Sequence, residues 1–234
     1  MSGDLCRALR AVDWGANIDA LCNDAASATE LDRLISRFSL WAGQLSAVEL
    51  DNEAIRFIHE AQLHTHFTCA LIALGLYKPA AASMRAFIEC TLYYTYFRSH
   101  PAELATLVRD SNYYLQRAEI VEFHKTHTPH FVAKDKAVGL TARLSSWYST
   151  VSAIVHGQVP GEWIASEDLR KSRQVPALTA KAVTKLGEAI AIADGLLFCT
   201  ITEDMWTSFS VGAKRTLVRG MPGPTKVALG LSVA

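Results

Sequence analysis

Apolar residues recur every three or four positions over most of the chain, the spacing of one face of an α-helix. The pattern predicts short helices within residues 4–45, followed by long helices over residues 46–74, 79–97, 101–124, 140–156 and 177–206. No segment of useful length alternates apolar and polar residues as a strand does. We therefore expect an all-α protein, an elaborated helical bundle.

The first two long helices are predicted to form an antiparallel hairpin. Ser46 and Glu49 have the spacing of a capping box, which opens the first helix. Gly75 ends that helix, and Pro79 suits the first turn of the second. A short link between two long helices places them side by side in opposite directions.

The second arm of the hairpin carries the first candidate for chemistry. Arg85 and Glu89 are the only charges between Ala80 and Phe97, and the helical repeat places them one turn apart on one face. An unpaired charge in an apolar interior costs several kcal/mol, so these side chains should form an ion pair or face a cavity. A structural ion pair and a functional site both stay open here.

The pattern also divides the chain into three parts. We expect residues 1–45 to form short helices that pack on the bundle, residues 46–206 to form the bundle, and residues 207–234 to form a basic, weakly structured tail. No acidic residue follows Asp204, whereas four basic ones do: Lys214, Arg215, Arg219 and Lys226.

Composition narrows the class of protein. The 234 residues are half hydrophobic and carry 23 basic and 23 acidic side chains, so no bulk positive charge attracts nucleic acid non-specifically. The five cysteines form no CxxC pair, which is typical of small buried side chains in a reducing compartment. The first residues do not form a secretory signal, and no apolar run reaches the ~20 residues of a membrane span. We expect a soluble, cytoplasmic protein without membrane contact.

The helix predicted over residues 140–156 carries the second candidate site. Wound at about 100° per residue, it places small hydroxyl side chains on a stripe that ends at an imidazole before Gly157. The stripe consists of Ser145, Ser149, Ser152 and His156. A serine one turn before a histidine can exchange a hydrogen bond with it, and histidine is the usual general acid or base. A histidine at a helix C-terminus is also favourable by itself, so a structural role stays open.

Two secondary candidates lie on the helix predicted over residues 101–124. Arg117 and His124 are seven residues apart and share a helical face, although nearby glutamates favour a solvated, charged helix. His127 and His130 follow, but no cysteine or aspartate stands at metal-ligand spacing from them. The sequence therefore predicts no metal site, and it contains no motif for a cofactor.

The hairpin and the helix over residues 140–156 together resemble the HEPN group, small all-α domains of prokaryotic toxin, RNA-cleavage and phage-defence systems. Many members end a core helix with an arginine, a polar residue, several further residues and His-Gly, and the segment Tyr148 to Gly157 is similar. The segments Gly75 to Ala80 and Met84 to Glu89 resemble the hairpin of an uncharacterised bacterial branch, in which a glycine and an aromatic residue precede LRxxxE. The resemblance covers roughly residues 50–205.

The resemblance implies metal-independent RNA cleavage, often across a dimer, in which histidine assists proton transfer and arginine holds the phosphate. This chain departs from the pattern, because residues 148–151 fill the window in which active members carry the arginine. Arg85 from the neighbouring helix, or Arg117 together with His124, would have to supply that charge.

The residues and the resemblance together support two functions. The first is a HEPN-like, homo-oligomeric protein of a bacterial defence or toxin-type system, whose polar pocket of Arg85, Glu89, Ser152 and His156 cleaves RNA. The second is a non-catalytic module that binds a partner protein and uses the same residues as a buried structural network. We predict that Arg85 or Glu89 comes within one hydrogen bond or one bridging water of His156 or Ser152. The sequence leaves open whether the site is catalytic.

Overall fold

The computed structural model describes residues 2–231, with side chains from residue 4, and this part consists of helices and short links without a strand. The helices are α1 (Ser2–Ala11), α2 (Trp14–Asn23), α3 (Ala25–Val48), α4 (Ile55–Ala73), α5 (Tyr77–Phe97), α6 (Pro101–Arg109), α7 (Arg117–His127), α8 (Phe131–Val138), α9 (Leu140–Val155), α10 (Pro176–Thr200), α11 (Glu203–Ser208), α12 (Val211–Leu217) and α13 (Gly223–Leu229). The predicted all-α bundle is confirmed. Within residues 2–231, no helix combines the length and the apolar character needed to cross a bilayer.

The predicted hairpin is formed by α4 and α5, the most extensively packed pair of helices. Gly75 closes α4 with a left-handed φ of 72° and donates its N–H to the Ile72 carbonyl at 3.0 Å. The Leu76 N–H donates to the Leu71 carbonyl at 2.8 Å, which completes a Schellman cap. A Cβ at Gly75 would lie 2.7 Å from the carbonyl oxygen of Arg173, so glycine is required for space as well as for φ.

Helix α5 lies at the centre of the bundle, as its apolar sequence predicts. It packs against α4, α7, α9 and α10. Its Phe87 ring is fully buried and meets the Phe38 ring of α3 edge-on, with the ring centres 4.7 Å apart. Arg85 and Glu89 lie on a stripe of α5 that is only partly buried. The central helix therefore brings two charges to the edge of the core without enclosing them.

Helix α3 is longer than predicted, and the division at residue 45 falls inside it. Trp41 and Leu45 extend its buried stripe, and both have no exposed surface. The predicted capping box at Ser46 is therefore wrong, because α3 continues through this residue. Glu49 instead accepts a hydrogen bond from the Tyr94 hydroxyl at 2.7 Å. Burial of the stripe outweighs the local capping signal.

The helix predicted to start at Pro101 is two helices, α6 and α7. The Asp110 side chain accepts a hydrogen bond from the Asn112 N–H at 2.9 Å, a local turn that competes with the helix. The N–H of Gln116 then donates to the Glu119 carboxylate at 2.6 Å, which opens α7. The last predicted bundle helix is also divided, between α10 and α11.

Two segments outside the predicted long helices contain helices. In residues 127–136, the buried ring of Phe131 opens α8. The prediction of a weakly structured tail over residues 207–234 is wrong for its described part, which forms α12 and α13. Leu217 and Leu229 are almost fully buried, and their burial holds these short helices on the bundle. The last three residues lie outside the described part.

Candidate functional site

Helix α9 has the two sides that the sequence predicts. Its buried face consists of Leu140, Leu144, Trp147, Val151 and Ile154. Ser145 and Ser149 on the other side are exposed. The helix ends at His156, and Gly157 follows in the left-handed region with φ 72°. This end holds His156 at the surface of the bundle, and α9 packs on α5.

Arg85 of α5 and His156 are in direct contact. The Arg85 Nη1 lies 2.7 Å from the His156 Nε2. A guanidinium can only donate, so Nε2 accepts, and the ring is neutral with its proton on Nδ1. We predicted that Arg85 or Glu89 comes within one hydrogen bond of His156 or Ser152. This prediction is confirmed by the contact between Arg85 and His156.

Glu89 and Tyr148 hold Arg85 from its other side. The Arg85 Nε donates to Glu89 Oε1 at 2.9 Å, and the Tyr148 hydroxyl donates to the same oxygen at 2.5 Å. The guanidinium carbon of Arg85 lies 4.9 Å from the centre of the Tyr148 ring, within the range of a cation–π interaction. The side chains of Arg85 and Glu89 keep 26% and 38% of their surface. The pair is therefore fixed in place and reachable from solvent.

Arg85, Glu89, Tyr148 and His156 form one polar cluster, in which Arg85 and Tyr148 keep their protons at neutral pH. Burial opposes the charge of Arg85, but the hydrogen bond and the negative charge of Glu89 outweigh it, and the pKa of Arg85 is raised. Burial, and next the hydrogen bond to Glu89, raise the pKa of Tyr148 to about 12. Arg85 is thus a permanent cation, and the Tyr148 hydroxyl is a permanent donor.

Tyr148 is the member of the cluster that the sequence analysis missed. Helical spacing places Tyr148 on the side of α9 that carries Leu144 and Val151, which is typical of core packing, and the side chain is partly buried. A tyrosine hydroxyl on a core face needs a hydrogen-bond partner. The Glu89 carboxylate has acceptor capacity beyond Arg85, but the sequence does not show that α5 and α9 place it beside Tyr148.

Arg117 joins the cluster, but His124 does not. The Arg117 guanidinium carbon lies 4.7 Å from the centre of the Tyr148 ring. His124 is 2% exposed, with Nε2 3.0 Å from Thr95 Oγ1 and Nδ1 2.8 Å from Thr128 Oγ1. The structure therefore does not bring Arg117 and His124 together. The expectation of a solvated helix face is wrong for His124, because its ring packs inside the bundle.

Ser152 lies one turn before His156 without bonding to its ring. Its Oγ is buried and has no hydrogen-bond partner in the structure. Its carbonyl oxygen accepts the His156 N–H at 2.9 Å, as the helix requires. The side-chain hydrogen bond that the sequence suggested between these two residues is therefore not formed.

A cavity of about 360 Å³ opens beside the cluster. Its walls come from α5, from the segment between Tyr114 and Ala118, and from Tyr148. The volume falls within the range of small-molecule sites. Arg85 lines this cavity and also contacts His156, so it connects the two.

The described part of the chain provides no cluster for a metal ion, and its buried thiols are unreactive. Among residues 2–231, no three His, Cys, Asp or Glu side chains are placed to hold a metal ion. Burial raises the thiol pKa values of Cys69, Cys90 and Cys199 to about 12, so these thiols are not nucleophiles at neutral pH.

Comparisons with protein-family models, with curated proteins and with solved structures give no match. The functional argument therefore depends on the geometry of the cluster. Its components are two cations, an imidazole that accepts a hydrogen bond from one of them, a carboxylate that holds the same cation, and an aromatic ring that both cations contact.

Proposed function

We propose that the chain is a HEPN-like helical protein of a bacterial defence or toxin-type system and that it cleaves RNA without a metal ion. Its proposed partners are a second copy of the chain and a protein of the same system. The observation that most supports cleavage is the contact between Arg85 and His156. It joins a guanidinium and a neutral imidazole, the two groups that the sequence resemblance requires. Arg85 supplies the charge that is missing from residues 148–151.

The proposed reaction is an internal transfer at a phosphodiester. Nε2 of His156 takes the proton of a ribose 2′-hydroxyl, and the 2′-oxygen forms a bond to phosphorus. The bond from phosphorus to the 5′-oxygen of the next nucleotide breaks, and that oxygen takes a proton from water. The products are a 2′,3′-cyclic phosphate and a 5′-hydroxyl. DNA is not a substrate, because it lacks the 2′-hydroxyl.

Arg85 has two roles in this proposal. At rest, its Nη1 donates to the lone pair on Nε2 of His156. When RNA binds, the same donor moves to a non-bridging phosphate oxygen, where negative charge develops, and this frees Nε2 for the 2′-hydroxyl. Glu89 and Tyr148 are positioning residues, since they hold the Nε edge and the face of the guanidinium.

A second candidate function is favoured by a different surface. A groove of about 930 Å³ lies between the α3–α4 connection and α6. Leu50 and Val108 on it are 80% and 81% exposed. Exposed apolar side chains around a groove favour protein binding. In this alternative the protein is a non-catalytic interaction module, and the cluster is a structural network. The partial exposure of Arg85 and Glu89 counts against this alternative.

Cleavage is tested by incubating the purified full chain with a pool of structured RNAs in EDTA and mapping the cut ends. His156→Ala removes the proposed base. His66→Ala removes an exposed histidine of α4 and is the matched control. We expect 2′,3′-cyclic ends from the wild type and the control, and a loss of at least about 100-fold in His156→Ala. Equal cleavage by His156→Ala contradicts the proposal, and no cleavage by folded wild type favours the interaction module.

A further inference from the structure

The cavity beside the cluster contains a cation and an aromatic ring that the proposed cleavage step does not use. Arg117 contacts the Tyr148 ring, and no carboxylate within residues 2–231 pairs with it. Tyr114, in the link between α6 and α7, lines the same cavity with 68% of its surface exposed. A guanidinium and an exposed aromatic ring at one cavity indicate a ligand that has an anionic group for Arg117 and a planar ring for Tyr114.

Charge and shape both favour a nucleotide as that ligand. Arg85, Glu89 and Arg117 line the cavity, and since Glu89 is paired with Arg85, these three side chains carry one net positive charge. A guanidinium binds phosphate oxygens through a planar fork of donors, and an exposed tyrosine ring is a platform on which a base can stack.

We propose that this cavity binds one nucleotide of single-stranded RNA, with its base stacked on Tyr114 and its phosphate on Arg117. This subsite rests on the proposed RNA cleavage. It extends that proposal by specifying that the cleaved segment of RNA is single-stranded. A cavity of about 360 Å³ accepts one splayed-out nucleotide and excludes a double helix.

The arrangement of the two arginines connects the subsite to the cleavage site. Arg85 and Arg117 both lie over the Tyr148 ring, at 4.9 and 4.7 Å from its centre. Because they share one ring, they can contact neighbouring phosphates of a single strand. The nucleotide held by Arg117 then places the adjacent phosphodiester at Arg85, next to His156.

The test measures ligand binding apart from cleavage. Isothermal titration calorimetry of the full chain compares nucleoside 5′-monophosphates with inorganic phosphate and with nucleosides as separate probes. Tyr114→Ala and Arg117→Gln remove the two proposed contacts. Phe67→Ala, at an aromatic residue of α4 that is 48% exposed, and Arg109→Gln, at an exposed arginine of α6, are the matched controls.

We expect mononucleotides to bind more tightly than phosphate or nucleosides. Both cavity variants should weaken this binding by at least about tenfold, and the controls should leave it unchanged. Undetectable mononucleotide binding, or equal binding by all variants, overturns the subsite even where RNA is cleaved.

An RNA-cleavage assay distinguishes the proposed nucleotide subsite from the proposed ribonuclease activity. We expect faster cleavage of an unpaired oligonucleotide than of the same sequence in a duplex, and equal rates contradict the subsite. Nucleotide binding that depends on Tyr114 and Arg117, without any RNA cleavage, supports the nucleotide site and refutes the ribonuclease.

Discussion

Arg85 and His156 share a hydrogen bond of 2.7 Å although they are 71 positions apart in the chain. The contact is made by the packing of α5 on α9 rather than by a motif within one helix. The arginine that contacts this histidine therefore comes from a neighbouring helix.

In the proposed RNA cleavage, the Tyr148 hydroxyl is expected to affect kcat more than the binding of RNA. Tyr148→Phe keeps the ring beneath Arg85 and removes only the hydrogen bond to Glu89. A hydrogen bond to a charged group contributes about 1.5–3 kcal/mol, so we expect kcat to fall by about tenfold with little change in KM. Tyr96→Phe removes a 2.6 Å hydrogen bond to Glu103 and is the control, for which kcat should not change. Equal kcat losses would indicate a general loss of stability.

His124 makes stability depend on acidic pH. Burial, and then the positive charges of Arg98 and His100, lower its pKa from 6.5 to about 4. Between these values the unfolded chain binds a proton that the folded ring does not bind, so stability is complete above pH 6.5 and falls towards pH 4. The expected loss is about 3 kcal/mol.

Urea unfolding between about pH 7.5 and about pH 4.5 measures this effect through linear extrapolation. The variant His124→Gln should flatten the dependence, whatever its stability at neutral pH. His66→Gln changes an exposed histidine and should retain the wild-type dependence. An unchanged pH profile in His124→Gln would show that other groups cause the acid sensitivity.

Removing one partner of the ion pair between α3 and α10 is expected to destabilise the bundle strongly. Asp194 accepts hydrogen bonds from Arg37 Nε at 2.5 Å and from Trp41 Nε1 at 2.7 Å. Asp194→Ala leaves the largely buried cation of Arg37 without its partner, so the free energy of unfolding should fall by about 3 kcal/mol. Glu162→Ala breaks the exposed pair with Lys181 and should cost less than about 1 kcal/mol. Similar losses in the two variants would contradict the prediction.

Glycine is required at the hairpin turn and dispensable in α3. Gly75→Ala introduces a Cβ 2.7 Å from a carbonyl oxygen at φ 72°, so we expect a loss of at least about 2 kcal/mol in denaturant unfolding. Gly43→Ala, at an exposed helix position with no atom within 4 Å of the new Cβ, should gain about 0.5–1 kcal/mol. A change of the same sign in both variants would contradict this explanation.

The fold could be predicted from the sequence because helical periodicity persists over long segments. The errors occurred where tertiary burial outweighed a local signal. Trp41 and Leu45 carry α3 past the cap-like Ser46, and Leu217 and Leu229 anchor a tail whose local pattern is weak. Such burial depends on partners distant in the chain, which no local window contains.

The site could be predicted in part. Arg85 and Glu89 were identifiable because charge in an apolar helix must be compensated, and His156 because it ends a helix before Gly157. The roles of Tyr148 and Arg117 depend on which faces of α7 and α9 meet α5. Helix periodicity defines the faces of one helix but not how two helices cross, so these contacts required the structure.

The most direct test of the proposed ribonuclease is a double-mutant cycle on single-turnover RNA cleavage in EDTA. Arg85→Gln, His156→Asn and the double variant are compared with wild type. If the two side chains act as one unit, each single change lowers the rate by at least about 100-fold, and the double variant is no slower than the slower single variant. Wild-type rates in either single variant, or losses that multiply in the double variant, would contradict a shared catalytic role for Arg85 and His156.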